Sequence, residues 1–154
     1  MSTEVETTPS GPAEVLAHSA DGASAGSLVS RPGKPDIVLH DEEERMRLHP
    51  YTYVCGPMTG YPEFNHPEFN RVAKMLRDKG LKVVNPAEMD KVFNQPWDWY
   101  LRRDLAVIAK KVGRVVLLKG WQNSHGANLE KYVAEHLGCE IIYTSEFEDW
   151  YACL

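Results

Sequence analysis

The stretch SHGANLEKYVAEHLGCEIIY, residues 124–143, contains a turn, a helical pattern and a strand in succession. After small residues typical of a turn, Leu129, Val133 and Leu137 recur every four residues, as on one face of a helix. A short apolar strand follows. Glu130 is therefore predicted in the opening turns of the helix, beside a glycine-containing loop. Because open α/β folds bind ligands at the carboxyl ends of their strands, Glu130 is our first candidate for a catalytic residue.

The region before this stretch predicts one βαβ unit. A β-rich run at residues 51–54 stops at the turn CGPMTG, residues 55–60. A helical pattern then begins at Pro67 and is closed by Gly80 as a C-cap. The strand LKVVNP, residues 81–86, completes the unit, whose crossover should be right-handed.

The middle of the chain continues the same alternation. Pro96 opens a helix whose apolar residues keep helical spacing as far as Val112, and Gly113 is predicted to end it. The apolar run at residues 114–120 is typical of an interior parallel strand. The sequence thus predicts an α/β fold: a single flavodoxin-like, Rossmann-like domain whose four- to five-stranded parallel sheet is flanked by helices.

Composition divides the chain into four parts. Residues 1–35 are rich in Ser, Ala, Gly and Pro and are predicted to be a disordered tail, either without function or binding a partner. Residues 36–50 are predicted to be a linker or docking segment, and residues 51–145 the folded domain. The aromatic residues of 146–154 predict a C-terminal docking tail that packs on the domain or on a second subunit.

The overall charge and the cysteine content narrow the functional classes. A net charge of −5 and a pI near 5.7 argue against direct nucleic-acid binding. We find neither an apolar run of about 20 residues nor a signal peptide, so we expect a cytoplasmic protein without membrane contact. The three cysteines form no CxxC pair and are predicted to be buried or incidental thiols. No histidine or cysteine spacing supports a metal site, and we expect no metal and no cofactor.

Three loops that follow predicted strands should meet at one edge of the sheet. They carry hydroxyl groups, amides and the two carboxylates of Asp104 and Glu130, a mixture that suits a sugar or a nucleotide. The predicted substrate-binding residues are Gly56, Pro57, Met58, Thr59, Gly60, Trp121, Asn123, Ser124, Gly126 and Asn128.

Each of these signals also has a purely structural interpretation. CGPMTG resembles neither GxGxxG nor a Walker motif, and its glycines would serve any tight turn equally well. Asp104 is also explained as a solvated helix residue paired with Arg102 or Arg103, and Glu130 as a surface glutamate. Trp121 is explained as core or rim packing as well as by stacking on a base.

Taken together, three motifs in this order resemble the nucleoside 2-deoxyribosyltransferase superfamily. They are YVCGPMTG at the first strand, RRDLAVI before the third strand, and GWxxSxGAxxE before the last. The resemblance covers residues 51–143. It is greatest to the 2'-deoxynucleoside 5'-phosphate N-hydrolases and to related uncharacterised proteins, many of them from phages.

The resemblance implies a role for each acidic residue. Glu130 would attack the anomeric carbon of the sugar and form a glycosyl-enzyme, Asp104 would supply a proton to the departing base, and Tyr53 would position the nucleophile. The loop at residues 56–60 would receive the sugar or its 5'-phosphate. The resemblance also implies a homodimer or higher homo-oligomer.

The sequence departs from the family pattern at two positions. The transferases carry a further aspartate shortly before the nucleophile, where residues 120–124 read GWQNS. The phosphate-using hydrolases carry an arginine in the first loop, where this chain has Thr59. Two alternatives to a nucleoside or nucleotide N-glycosidase or 2-deoxyribosyltransferase therefore stay open. One is a non-catalytic nucleotide-binding sensor or subunit of a nucleic-acid-modification assembly, and the other is an NAD glycohydrolase.

Overall fold

A computed structural model of the chain describes residues 41–89 and 94–154, together with the backbone of two short strands before them. The helices and strands, in chain order, are β1 (Ser27–Val29), β2 (Ile37–Leu39), α1 (Glu42–Leu48), β3 (Tyr51–Cys55), α2 (His66–Asp78), β4 (Lys82–Val84), α3 (Pro86–Met89), α4 (Trp97–Lys111), β5 (Val112–Leu117), α5 (His125–His136), β6 (Glu140–Ile142) and α6 (Phe147–Ala152). Strands β1 and β2 pair antiparallel in a separate two-stranded sheet. Apart from β1, the predicted tail at residues 1–35 lies outside the described residues.

The main sheet has four parallel strands in the order β4-β3-β5-β6. Among the strands of this sheet, β3 comes first along the chain and β4 second. The second strand therefore lies at one edge and the order reverses beside β3, as in flavodoxin-like sheets. The structure thus confirms the predicted parallel α/β fold, with four strands in the main sheet.

Alternating side chains of the two central strands build two cores, one on each face of the sheet. Tyr53, Cys55, Val115 and Leu117 point to the face covered by α4 and α5. The other face is covered by α2, which buries Phe69, Val72, Ala73 and Leu76. Burial on both faces explains why the central strands read as continuous apolar runs.

The junction between α4 and β5 differs from the sequence prediction. Gly113 was expected to end the helix, but the strand already begins at Val112, directly after the helix ends at Lys111. A side chain at Gly113 would collide with the backbone carbonyl of His49. The glycine therefore permits a close approach of another backbone segment to the strand. In the sequence alone, a glycine that ends a helix and a glycine inside a strand cannot be told apart at this position.

The two flanking segments pack on the domain, α1 against β5 and α6 against the core. Asp41 caps α1 by accepting a hydrogen bond from the Glu44 N–H at 2.8 Å. In the C-terminal segment, Phe147, Trp150 and Tyr151 of α6 are partly buried and pack against the core on the α2 side. Within the described residues, no helix has both the length and the apolar character to cross a membrane.

Candidate active site

A cleft of about 450 Å³ opens at the carboxyl ends of the parallel strands. This volume is in the range of small-molecule sites. Its lining comes from β3 and the loop after it, from α4 and from the start of α5, and includes Tyr53, Gly56, Met58, Thr59, Phe64, His66, Trp97, Arg103, Asp104, Ser124, Gly126 and Glu130. A second cavity of about 360 Å³ shares Thr59, Trp97, Ser124 and Gly126 with the first. The two cavities therefore form adjoining lobes of one site.

The packing of α4 against α5 brings the two candidate acids into the same cleft. Asp104 is buried on α4 with 7% of its surface exposed, and Glu130 is buried on α5 with 8% exposed. The start of α5 is fixed by Ser124, whose hydroxyl accepts a hydrogen bond from the Ala127 N–H at 3.2 Å. Glu130 lies less than two turns after this cap, so the cap sets the height at which its carboxyl enters the cleft.

Burial and a like charge both act on Glu130. Loss of hydration is the larger effect and the negative charge of Asp104 the second, and together they raise the pKa of Glu130 to about 8. Contacts with Cys55 and Tyr53 and the positive charge of Arg103 act in the opposite direction. A glutamate in this environment carries its proton at neutral pH, unlike the fully ionised glutamates of a protein surface.

Asp104 is held by a neighbouring arginine. The Arg103 guanidinium donates from Nε to Asp104 Oδ1 at 2.8 Å and also places Nη2 2.8 Å from the same oxygen. The guanidinium lies 5.8 Å from the ring of Trp99 and 5.4 Å from the ring of Tyr100. The pairing of Asp104 with Arg103 was one of the two structural alternatives, but the pair is buried beside the cleft and is not a solvated surface pair.

Two side chains of β3 lie beneath Glu130. The buried Cys55 thiol donates a hydrogen bond to Glu130 Oε2 at 3.2 Å. The Tyr53 hydroxyl is near enough to lower the pKa of Glu130, but it has no partner in good hydrogen-bonding geometry among the described residues. A buried hydroxyl without a partner is uncommon, and one beside a cleft can be satisfied by a ligand or by water.

Most of the predicted binding residues line the two lobes. Gly56, Met58, Thr59, Ser124 and Gly126 line the larger cavity with the three predicted catalytic residues. Pro57 and Asn123 line the smaller one. The glycine at position 56 is required by close packing, because an added Cβ would lie 2.7 Å from the Cβ of Leu118.

Three predicted residues lie outside the lining of both lobes. Gly60 is an exposed turn glycine with φ of 85°. Trp121 packs against the core, 6.0 Å from the ring of Tyr143. The Asn128 side chain donates to the backbone carbonyls of Gln122 and Ser124 at 2.9 and 2.7 Å. Asn128 therefore organises the loop that carries Ser124.

Two aromatic residues at the cleft, Trp97 and Phe64, are not among the residues predicted for the site. Trp97, nearly half exposed, stacks on His125 with ring centroids 5.3 Å apart. Phe64 is displayed at the cleft by a left-handed turn in which Glu63, Phe64 and Asn65 all have positive φ. Asn65 supports this turn by donating to the Pro57 carbonyl at 2.9 Å. Non-glycine residues rarely adopt this conformation, so no sequence pattern predicts it.

No group of three or more His, Cys, Asp or Glu side chains is arranged to hold a metal ion in the part of the chain that the structure describes. The side chains that line the cleft include two buried carboxyls, a phenol and a guanidinium, and the thiol of Cys55 contacts one of the carboxyls from beneath.

The fold and site define a parallel α/β domain with a buried pair of carboxyls in a cleft at the strand ends. Residues 50–143 match the family described as a domain of unknown function, DUF4406. The match covers more than half of the chain, and the chain belongs to this family.

No curated protein shows a significant match to the sequence. Among solved structures, a 2-desoxiribosyltransferase from Leishmania mexicana is similar to the chain, with a TM-score of 0.48 and 15% sequence identity. The similarity covers 60% of this chain and 62% of that one, so it spans less than two thirds of that protein.

Proposed function

We propose that the protein cleaves the N-glycosidic bond of deoxynucleosides or their 5'-monophosphates and passes the sugar to water or to a second base. The observation that supports this most strongly is the burial of Glu130 and Asp104 in one cleft of about 450 Å³. Two carboxyls that flank one cavity are the usual apparatus for glycosidic bond cleavage through an oxocarbenium-like transition state.

In the proposed reaction, a carboxylate oxygen of Glu130 attacks C1' of the sugar while the bond from C1' to the base nitrogen breaks. Asp104 donates its proton to that nitrogen, so the base leaves neutral. Water or a second base then attacks C1' of the glycosyl-enzyme and releases Glu130, with Asp104 as the proton acceptor.

One proton has to move before the proposed reaction can start. Glu130, with a pKa of about 8, carries a proton at neutral pH, and Asp104 is paired with Arg103. The reaction needs Glu130 ionised and Asp104 protonated. One proton transfer within the pair therefore prepares the site once the substrate is bound.

The lobes of the cleft support a nucleoside or nucleotide as the substrate. Aromatic rings of Phe64 and Trp97 line the mouth and can contact a flat base, while the deeper part carries the acids. The second lobe contains the hydroxyls of Thr59 and Ser124 beside the amino end of α5, an arrangement that suits a 5'-phosphate.

Release of free base from a panel of deoxynucleosides and their monophosphates tests this function. We expect the wild-type protein to release base and Glu130→Gln to lose at least about a thousandfold in rate, because the amide cannot form the glycosyl ester. Glu135→Gln is the matched control, since this residue is on the same helix, is more exposed and pairs with Lys131 at 3.3 Å. Base release by Glu130→Gln at the wild-type rate would contradict the proposal.

One observation favours a second candidate, a nucleotide-binding module without turnover. Glu130 is mainly protonated at neutral pH, and a neutral carboxylic acid is a poor nucleophile but a good hydrogen-bond donor. Thermal stabilisation of the protein by a nucleotide, equal in wild type and Glu130→Gln and without product, would support this candidate.

A further inference from the structure

The thiol of Cys55 occupies a defined position under the carboxyl of Glu130. Cys55 is the last residue of β3 and is fully buried. Its Sγ lies 3.2 Å from Glu130 Oε2 and 3.6 Å from the carbonyl oxygen of Ala127, one helical turn earlier on α5. The thiol therefore bridges the end of the central strand to the helix that carries the nucleophile.

The environment of this thiol excludes the usual reactive roles of cysteine. Burial is the largest cause that raises the pKa of Cys55 well above its ordinary value, and the neighbouring charge of Glu130 adds to it. A reactive cysteine needs a thiolate and access to solvent, and Cys55 has neither. The group available to Glu130 is therefore the neutral S–H, a weak donor that is also a weak acceptor.

We propose that Cys55 is a positioning residue, which holds one carboxyl oxygen of Glu130 so that the other is presented to C1' of the substrate. This inference rests on the proposed function and extends it. When Glu130 is ionised, the thiol donates to Oε2. When Glu130 is protonated, the S–H turns to the Ala127 carbonyl and the sulfur accepts from the carboxyl. The same side chain thus supports the carboxyl in both protonation states that the reaction visits.

A carboxylate that rotates freely presents its attacking oxygen in many directions, and small losses of alignment slow a reaction strongly. The Tyr53 hydroxyl is close enough to lower the pKa of Glu130, but its geometry is not that of a hydrogen bond. In the described residues, the contact with Cys55 is the hydrogen bond that has both short distance and good geometry.

The test combines a carboxyl titration with steady-state kinetics on the full chain. The titration follows the Glu130 side chain by carbon-13 NMR of glutamate-labelled protein, with the Glu130 signal assigned by its loss in Glu130→Gln. In Cys55→Ala we expect the pKa of Glu130 to rise above its wild-type value of about 8, because the bond that the thiol donates to the ionised carboxyl is stronger than the bond that it accepts from the protonated one. We also expect kcat to fall about three- to tenfold with little change in KM, as for loss of a weak hydrogen bond to a charged group.

Cys55→Ser retains a hydroxyl donor and should restore most of both quantities. Cys139→Ala is the matched control, because its thiol donates to the Val112 carbonyl at 3.1 Å and the residue is not part of the cleft lining. It should leave the titration of Glu130 and the rate unchanged. If the space left in Cys55→Ala destabilises the fold, Cys55→Val removes the donor while it keeps the volume.

An unchanged Glu130 titration in Cys55→Ala or Cys55→Val would overturn the inference, even if base release by the wild type were fully established. Equal changes in Cys55→Ser and Cys55→Ala would overturn it as well, because they would indicate packing and not hydrogen bonding. In contrast, absence of base release from the wild type would remove the proposed function, while the titration would still report whether Cys55 holds the carboxyl.

Discussion

Two buried ionisable residues, Arg114 and Glu130, lie at opposite ends of the sheet in different electrostatic environments. Near the start of β5, Arg114 is 3% exposed and donates to Glu140 at 2.6 Å and to Glu42 at 2.5 Å. Its guanidinium also lies 5.1 Å from the ring of Trp150. At the carboxyl end, Glu130 lies beside a second carboxylate and a cleft. Its neighbour has the same charge, whereas the neighbours of Arg114 have the opposite charge.

This contrast is the one expected between a buried charge that serves stability and one that serves the proposed function. Burial is expensive for any ion, and a fold that needs the charge only for stability surrounds it with opposite charge and hydrogen bonds. At Glu130, burial and a like-charged neighbour increase the free energy of the ionised form, and its raised pKa expresses this increase. Such an arrangement is expected where the charged group has to act on a ligand.

The largest effect that we expect is on the pH dependence of stability. The pKa of Glu130 is about 8 in the folded protein and near 4.5 in the unfolded chain. The contribution of Glu130 to the free energy of unfolding is therefore fully present below about pH 4.5 and is lost as pH rises through about 8. The loss corresponds to about 4–5 kcal/mol. Glu130→Gln cannot ionise and does not undergo this loss. The difference in the free energy of unfolding between the variant and the wild type should therefore shift in favour of the variant by this amount from pH 4 to pH 9.

Urea unfolding of both proteins at a series of pH values measures this difference. Because a buried amide has its own cost at every pH, the informative quantity is the change in the gap between the two proteins. Parallel profiles from pH 4 to pH 9 would mean that Glu130 is ionised normally, and the contrast between the two ends of the sheet would then be lost.

The next effect is at the opposite end of the sheet. Arg114→Met removes the cation between Glu140 and Glu42 and should cost about 3 kcal/mol in the free energy of unfolding. The loss stays at the lower end of the range for buried pairs because both glutamates are partly exposed and can be hydrated again. Chemical denaturation measures it, and the base-release rate at a temperature where the variant is folded should not change.

The smallest effect is expected at a comparable but exposed pair. Arg71 also donates two hydrogen bonds to a carboxylate, that of Glu68, at 2.8 and 2.7 Å. Both partners are more than one-third exposed, so Arg71→Met should cost less than about 1 kcal/mol. Equal losses in Arg71→Met and Arg114→Met would refute the idea that burial and pairing give Arg114 its structural role.

The parallel sheet could be predicted from the sequence because its signals are local. Each signal indicates one element without reference to the others. Apolar runs indicate β3 and β5, and Gly80 indicates the end of α2. The helical spacing of α2 is carried by Phe69, Val72, Ala73 and Leu76. The exact boundary at Val112 could not be predicted, because it depends on the approach of the His49 backbone from another part of the chain.

The candidate site was predictable where loops follow parallel strands and where a motif carried it. The loop positions pointed to Asp104 and Glu130, the resemblance gave each of them a role, and the structure places both in one cleft. The contact of Cys55 with Glu130 joins residues 75 positions apart and has no sequence signature. The left-handed turn that places Phe64 at the cleft likewise depends on a specific contact, the hydrogen bond from the Asn65 side chain to the Pro57 carbonyl. Local propensity does not encode this contact.

The most direct test of the central claim is the mass of the peptide that contains Glu130, measured after rapid acid quenching during turnover of a deoxynucleoside 5'-monophosphate. We predict a covalent deoxyribosyl phosphate adduct on Glu130, present in the wild type and absent in Glu130→Gln. Release of base with Glu130 unmodified at every time point, or an adduct on a different side chain, would contradict the account.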